Sequence, residues 1–442
     1  MTRSRSAAVV PAACSRRSSS LARANSDPRQ ILLRCFEAAL GAVDARACTA
    51  AAAEEWAPQG EWHVVAIGKA AGSMALGVRD ALGMRLAGGI VVTKPGHVPA
   101  DLGATPGLEI HESAHPLPDA RSLAAGAALL DYLDRLPPRA ALLFLVSGGA
   151  SSLLESLHPG LGLAELQRVN AWALASGRPI GEVNAVRRAL SRLKGGGLAA
   201  LTVGHPRLAL MISDVPGDDP AVIGSGLLHA TPPSVAGLPS LPREIASIVA
   251  RVRSARPPRV EEAAVPVRIV ASVRGACRAA AQCARRLGLK AVVARGRFAG
   301  QAGRLGPRFA RAILEREPGT LLIWGGESTI TLPDAPGYGG RNQHLALAAA
   351  GVLAGRTGAA LLAAGTDGID GVTADAGAVV DGGTWQRGED AGGDARRALA
   401  AADAGRFLEA AGDLLHTGPT LTNVGDVVLG VKILQGTRDG MS

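Results

Sequence analysis

The chain has 442 residues, 47% of them hydrophobic, so it can bury a sizeable core, and its length predicts two domains or more. Aromatic residues make up only 3%, which argues against stacking platforms for single-stranded nucleic acid. The longest apolar run near the middle, residues 140–146, falls far short of the ~20 residues of a membrane span. A soluble protein is expected, with no nucleic-acid or membrane partner.

The net charge of +9 is uneven: residues 1–29 hold six arginines against Asp27, and the rest of the chain carries +4. This Arg- and Ser-rich, acid-poor tail has the composition of an organelle transit peptide. A disordered extension or an over-extended start is the simpler reading. The expected location is cytoplasmic, or mitochondrial if residues 1–28 are a targeting segment. Five scattered cysteines without paired metal spacing fit a reducing compartment. Lysine is scarce, five against 42 arginines, so a lysine in this chain is a somewhat stronger candidate for a specific role than an arginine.

After the tail, residues 31–43 read as an amphipathic helix. Apolar strand-like segments then recur, each ending in a Gly/Ser/Asp loop and several followed by a helical stretch. They are residues 63–68, 88–94, 140–149, 208–214, 267–272, 290–294, 319–327 and 359–368. Alternation of this kind predicts α/β layers with largely parallel or mixed sheets. Pro and charge enrichment at 231–266 suggests a linker with one short helix. The expected organisation is a tail (1–28), an N-terminal α/β domain (29–235), a linker (236–266) and a C-terminal α/β domain (267–434).

In open α/β sheets ligands gather beyond the carboxyl ends of the strands. "HVVAIGKAAGSMA" (63–75) is a strand, a turn at Gly68-Lys69 and a helix, where backbone N–H groups and the helix dipole favour an anion. The Walker spacing is absent. "LVSGGASSLLE" sets Ser147, Gly148 and Gly149 before a helix, either as a plain turn or as a close-approach anion site. In "GEVNAVRRALSRLKGGGLA" (181–199), Asn184, Arg187, Ser191 and Lys194 would share one helical face. On spacing alone that face reads better as a solvated surface, with Lys194 complementing the helix C-terminus before the glycines. "LMISDVPGDDPAVIGSG" (210–226) ends a buried strand at Asp214 and continues to Gly224 and Ser225. A carboxylate at such a place suits Mg²⁺, whereas Asp218 and Asp219 read as turn and cap residues.

The second half follows the same pattern. "IWGGEST" offers Gly326 and Glu327, and "GYGGRNQHLALAAA" offers Gly340, Arg341 and Asn342 opening an apolar helix. An arginine there can clamp a carboxylate or phosphate bidentately. "AAGTDGIDGVTADAG" holds Thr366 and Asp367 in a glycine-broken loop, and "HTGPTLTNVGDVVLG" is a polar turn with Asn423 before a strand. Their number in both halves favours a polyanion site in an interdomain cleft.

Taken in order, "GKAAGSMA", "AHPLPDA", "SGGASSLLE", "NAVRRALSRLKGGGLA", "SDVPGDDPAVIGSG", "GGEST", "GGRNQ", "GTDGIDGVTADAGAVVD" and "TGPTLTNV" resemble the glycerate 2-kinase family with its C-terminal MOFRL domain. The resemblance runs from about residue 31 to 431. It implies ATP-dependent phosphorylation of D-glycerate at its 2-hydroxyl, with Mg²⁺, in a cleft between two α/β domains, and a homodimer is conceivable. It also implies Lys69 and Arg341 as the leading catalytic residues. Asp214 would hold the metal, with Asp367, or orient the hydroxyl. Three positions depart from the family pattern: Leu227 in place of proline, His344 in place of glutamate, and Gly425 in place of a polar residue. The alternatives are a kinase of another small hydroxy acid and a hydroxypyruvate reductase, a name such proteins have carried; the latter would need a nicotinamide site, and no strand–GxGxxG–helix with a following acid is present.

Overall fold

The computed structural model describes residues 27–178, 180–229, 241–253 and 264–434. The proposed tail and parts of the proposed linker lie outside these residues. The first sheet is built from six strands: β1 (Trp62–Ile67), β2 (Leu86–Thr93), β3 (Leu108–Glu112), β4 (Ala141–Val146), β5 (Arg207–Ser213) and β6 (Val267–Ser272). Their order is β3-β2-β1-β4-β5-β6, and every neighbouring pair is parallel. Parallel strands need crossover helices on both faces, so they are buried twice over and read as continuous apolar runs. "HVVAI" and "ALLFLV" are such runs, and Val64, Val65, Ala66 and Leu142 to Val146 are all buried.

Helices α2 (Ala45–Trp56) and α3 (Ala71–Leu82) pack on one face of this sheet, and α1 (Pro28–Gly41) joins the same apolar cluster from beyond it. Helices α4 (Ala120–Asp134), α5 (Ala150–Leu153) and α8 (Gly197–Leu201) cover the other. Between them, α6 (Leu163–Ala175), α7 (Ile180–Leu190) and α9 (Arg243–Arg253) form a separate helical cluster around Val169, Val186, Leu190, Ile245 and Val249. The helix expected in the linker is therefore α9, packed against α6 and α7.

The second sheet combines β7 (Lys290–Val293), β8 (Phe298–Gln301), β9 (Thr320–Thr329), β10 (Ala359–Gly365), β11 (Gly377–Asp381), β12 (Leu414–Leu415) and β13 (Asp426–Lys432). Its order is β12-β11-β10-β13-β9-β7, with β8 also on β9; β7 and β8 run parallel to β9 and the other pairs are antiparallel. Helices α11 (Ala302–Leu314) and α12 (Arg341–Leu353) pack on one face, with the short helices α13 (Thr384–Asp390), α14 (Ala395–Ala400) and α15 (Ala404–Ala410) nearby. Helix α10 (Val273–Arg286) and α1 pack on the other.

Two boundaries differ from the sequence reading. Residues 267–272 were expected to begin the second domain, but β6 completes the first sheet by pairing with β5. Conversely, α1 packs on α10, β10 and β13, away from the first sheet's edge. Both follow from apolar surface: β6 covers the open side of β5, and the stripe of Ile31, Leu32, Cys35 and Phe36 needs the second sheet to be buried. One apolar cluster runs through both sheets, containing Leu145 and Ile212 as well as Leu321 and Leu429. Among the described residues the cysteines Cys35, Cys48, Cys277 and Cys283 are free. No described helix is long and apolar enough to cross a membrane.

Candidate active site

The strand order of the first sheet reverses direction between β1 and β4, and a crevice opens outside their carboxyl ends at such a reversal. Gly68 and Lys69 leave β1 there, and Ser147, Gly148 and Gly149 leave β4 beside them. The two turns are bonded together: Ser147 N–H donates to Ile67 O (3.0 Å) and Lys69 N–H donates to Gly148 O (2.9 Å). Gly68 has φ +134°, and a Cβ on it would lie 2.2 Å from Ser147 Oγ, so only glycine fits. Ser147 Oγ accepts from Ala70 N–H at the start of α3, which has no capping side chain of its own.

Lys69 Nζ lies 3.6 Å from Asp367 Oδ2, its only described carboxylate partner. Its carbonyl accepts from His97 Nδ1 (2.9 Å); a carbonyl can only accept, so that nitrogen carries the proton. Lys94 adds a second positive charge beside Lys69, and His115 lies beside both as a neutral imidazole. Burial, then the charge of Lys69, pushes the Lys94 ammonium below its ordinary range. Burial also lowers His97, and it brings His115 down to about 4, with Lys69 and Lys94 adding to the effect.

Asp214 follows β5. A Cβ on Gly148 would sit 2.0 Å from Asp214 Oδ2 and 3.1 Å from Asn423 Nδ2, so both side chains close on the glycine backbone. Burial raises the Asp214 carboxyl, opposed by the charges of Lys69 and Arg297. Arg297, from the loop between β7 and β8, donates to the backbone oxygens of Asp214 (2.8 Å) and Val215 (3.2 Å). It thereby ties the second sheet to the Asp214 loop of the first.

Across the cleft, Arg341 opens α12. Its Nε and Nη2 donate to both oxygens of Asp426 (2.8 and 2.9 Å), and Nη1 lies 3.0 Å from Glu327 Oε1. Burial disfavours the Arg341 cation, but the bonds to Asp426 and the charge of Glu327 outweigh it and hold the guanidinium above its ordinary range. Burial raises Glu327, opposed by Arg341. The start of α12 has Gly340 as its N-cap, with no side chain to cap the free N–H groups. Asp370, from the loop after β10, supplies the missing acceptor: its oxygens take Asn342 N–H (3.1 Å) and Gln343 N–H (2.8 Å). A Cβ on Gly340 would lie 2.2 Å from Asp370 Cγ, which explains the glycine. Burial lifts the Asp370 carboxyl to about 7 despite those two bonds.

The cleft between the two sides encloses about 1300 Å³. Of the residues expected from the sequence, Gly148, Gly149, Asn184, Arg187, Asp214, Gly224, Ser225, Glu327 and Arg341 line it. Lys69, Ser147, Asp367 and Asn423 adjoin it through the contacts above. The others stand behind it. Helix α7 ends at Leu190, so Lys194 does not share a helical face with Asn184 and Arg187. Ser191 Oγ instead accepts from Leu193 and Lys194 N–H, and the Lys194 ammonium is buried in an ion pair with Glu155. Asn342 is buried beside Asp370. Gly326 admits the backbone of Phe298. Thr366 Oγ1 donates to Gly425 O (2.7 Å) and accepts from Val424 N–H, fixing the Asn423 turn. Gly68 and Gly340 are packing glycines.

Sequence reasoning assigned no role to Lys94, His97, His115, Arg297 or Asp426. Asp426 carried a usable signal: an acid opening an otherwise apolar strand, "DVVLGV", must be paired if it is buried. Among the described residues no group of three or more His, Cys, Asp or Glu is placed to hold a metal ion. A cation at Asp214 and Asp367 would therefore take further oxygens from a bound phosphate or water, as Mg²⁺ does with phosphorylated substrates.

Residues 31–264 match a family described as a domain of unknown function (DUF4147), and residues 320–426 match the MOFRL family. A D-glycerate 2-kinase from Thermotoga maritima is 36% identical, over 84% of this chain and 90% of that protein. A glycerate 2-kinase from Pyrococcus horikoshii is 33% identical, over 86% and 89%. A protein of Agrobacterium vitis named "Putative hydroxypyruvate reductase" is 38% identical, over 90% and 93%. The crystal structure of glycerate kinase from Thermotoga maritima superimposes with a TM-score of 0.81 at 32% identity, covering 92% of this chain and 99% of that one. With both domains matched and the fold shared over nearly its whole described length, the chain belongs to the glycerate 2-kinase family.

Proposed function

We propose that the protein is an ATP-dependent kinase that phosphorylates the 2-hydroxyl of D-glycerate, giving 2-phosphoglycerate and ADP. The observation that carries this reading is the meeting of Lys69, the Ser147-Gly148-Gly149 turn and Asp214 at the strand-order reversal, in a chain related to glycerate 2-kinases. Phosphoryl transfer asks the protein for alignment and charge rather than covalent chemistry. The glycerate 2-oxygen bonds to the γ-phosphorus as the bridging bond to ADP breaks. The hydroxyl proton passes to Asp214, a half-buried carboxylate whose proton affinity is raised by its surroundings. ADP departs with the bridging electron pair. Lys69 places its charge on the transferred group, and the glycine turn approaches the phosphate closely. With Asp214 taking the proton, Mg²⁺ bound with ATP would have Asp367 as its protein ligand and would neutralise charge on the phosphate oxygens.

Arg341 takes a different part. Two carboxylates already engage its guanidinium, so it frames the cleft and orders Glu327. A reductase is the second reading, favoured by the relative's name and by a strand order shared with dinucleotide-binding folds. Against it, β2 runs out into Lys94, where that chemistry wants a carboxylate for the ribose. The test is ADP release from MgATP and D-glycerate, with the product identified by NMR. 2-Phosphoglycerate supports the kinase reading; NADH oxidation by hydroxypyruvate without ADP release overturns it.

A further inference from the structure

A recess of about 180 Å³ opens beside the cleft and shares Gly149, Ser151 and Arg187 with it. At ~30 Å³ per water it has room for about six waters. That suits a compact acid of a few carbons and is far too small for a nucleotide, which the 1300 Å³ cleft would accommodate.

The charges of the recess are unequal. The Lys194 ammonium and the Glu155 carboxylate, both 2% exposed, cancel each other. The second Glu155 oxygen accepts from Ser156 N–H (3.0 Å). His115, at the side, is neutral at pH 7, since burial holds it well below that value. Arg187 is the exception. Its Nε donates to the neutral Asn170 carboxamide (3.2 Å), and among the described residues no carboxylate is within ion-pair distance of it; the Glu155 charge reaches it only from beyond contact, and that charge is already paired with Lys194. The recess therefore keeps one uncompensated positive charge, on a planar donor whose fork matches a carboxylate. Leu166, Pro116 and Pro118 supply apolar wall, which limits length. The Glu155 carboxylate disfavours a second anionic group.

Resting on the kinase reading, we infer that this recess is the acceptor subsite: it takes a short 2-hydroxy monocarboxylate, with the carboxylate on Arg187 and the 2-hydroxyl at the mouth beside Gly149. The mouth is the right place for transfer. The Lys69 side chain approaches Gly149 there, its Cγ 3.1 Å from where a Cβ on that glycine would stand. The three-helix cluster of α6, α7 and α9 then acts as the specificity element, since α6 contributes Leu166 and Asn170 and α7 contributes Arg187.

Isothermal titration of the full chain with D-glycerate, and separately with MgATP, tests this. Arg187→Gln and Leu166→Phe should each weaken D-glycerate binding at least tenfold; MgATP affinity should stay within twofold in Leu166→Phe and fall severalfold less than that for D-glycerate in Arg187→Gln, since Arg187 also lines the cleft. Arg187→Lys should recover part of the loss. The two substitutions lie on different helices, and retained MgATP binding reports an intact fold for each. Unchanged D-glycerate affinity in both variants overturns the assignment, as does equal loss of both ligands, or absence of D-glycerate binding to the unsubstituted protein. Arg187-dependent binding without 2-phosphoglycerate formation would sink the kinase reading and leave the recess standing. Turnover with an unchanged KM for glycerate in Arg187→Gln would do the reverse.

Discussion

Lys69 and Arg341 look alike in the sequence, each a cation next to glycine at the start of a helix, yet the fold treats them oppositely. Lys69 is fixed through its backbone, by Gly148 and His97, while its ammonium meets one carboxylate at 3.6 Å. Arg341 is fixed through its side chain, by Asp426 on two nitrogens and Glu327 on the third. Around Lys69 the neighbours are Lys94, His97 and His115; around Arg341 they are acids. The first arrangement leaves a charge free to follow a phosphate. The second holds a rigid strut whose charge is already answered.

The largest test of that contrast is Lys69→Ala. Removing a point charge from a transferring phosphoryl group costs on the order of 10³-fold in kcat. The melting temperature should stay within about 2 °C, because Asp367 is partly exposed and Asp214 keeps the charge of Arg297. A variant of near-normal turnover would remove Lys69 from the chemistry.

Arg341→Ala should behave the other way, losing stability along with activity. Breaking a fully buried pair costs ~3–5 kcal/mol. The Arg341 side chain is 36% exposed while Asp426 is 1% exposed, so solvent screening reduces the expected loss to about 2 kcal/mol. Denaturant unfolding measures it, and Arg341→Met with Asp426→Leu should restore stability without restoring turnover. If Arg341→Ala unfolds at the same denaturant concentration as the unsubstituted protein, the strut description fails.

A smaller effect is expected at Asp370, which caps α12 from outside the helix. Asp370→Ala should cost about 1–2 kcal/mol, as loss of a helix cap does. It should lower kcat less than Arg341→Ala does, because it acts on Arg341 through the helix start and through its charge, without touching the guanidinium. Steady-state kinetics of the two variants side by side gives the ranking, and a larger kcat loss in Asp370→Ala would reverse it.

These contrasts also mark what the sequence could disclose. All eight strands read from apolar runs are present, because strands covered on both faces announce themselves as such runs, the six-stranded parallel sheet and the antiparallel β10 alike. The missed strands β3, β8, β11 and β12 are short or glycine-bounded; "LEIHE" is a half-exposed edge and "GAVVD" sits within a glycine-rich loop. The positions of Lys69, Ser147, Asp214 and Arg341 were legible because turns of small residues mark strand ends. Their partners were not. Asp426 is 85 positions from Arg341, and Arg297 is 83 from Asp214, and pairings at that separation are set by topology rather than local pattern. The helical face expected to carry Lys194 beside Arg187 does not form, because Ser191 ends the helix and turns the lysine onto Glu155, at the wall of the recess.

The smallest expected effect separates the two regions by the sign of their response to acid. His115, beside Lys69, has its pKa lowered from 6.5 to about 4, so between those values the unfolded chain binds more protons than the folded one. Its contribution to stability is complete above about pH 6.5 and is lost as the pH falls toward 4. Asp370, beside Arg341, is raised from 3.8 to about 7, so the folded state holds the extra proton and stability is gained as the pH falls through that window. The two partly cancel in the unsubstituted protein, and His115 is open enough to solvent for screening to shrink its share. The melting temperature at pH 5 relative to pH 7 should therefore rise by about 1–3 °C in His115→Gln and fall by a similar amount in Asp370→Asn. Shifts of the same sign in both variants would mean that the Lys69 and Arg341 regions do not differ in the electrostatic way described.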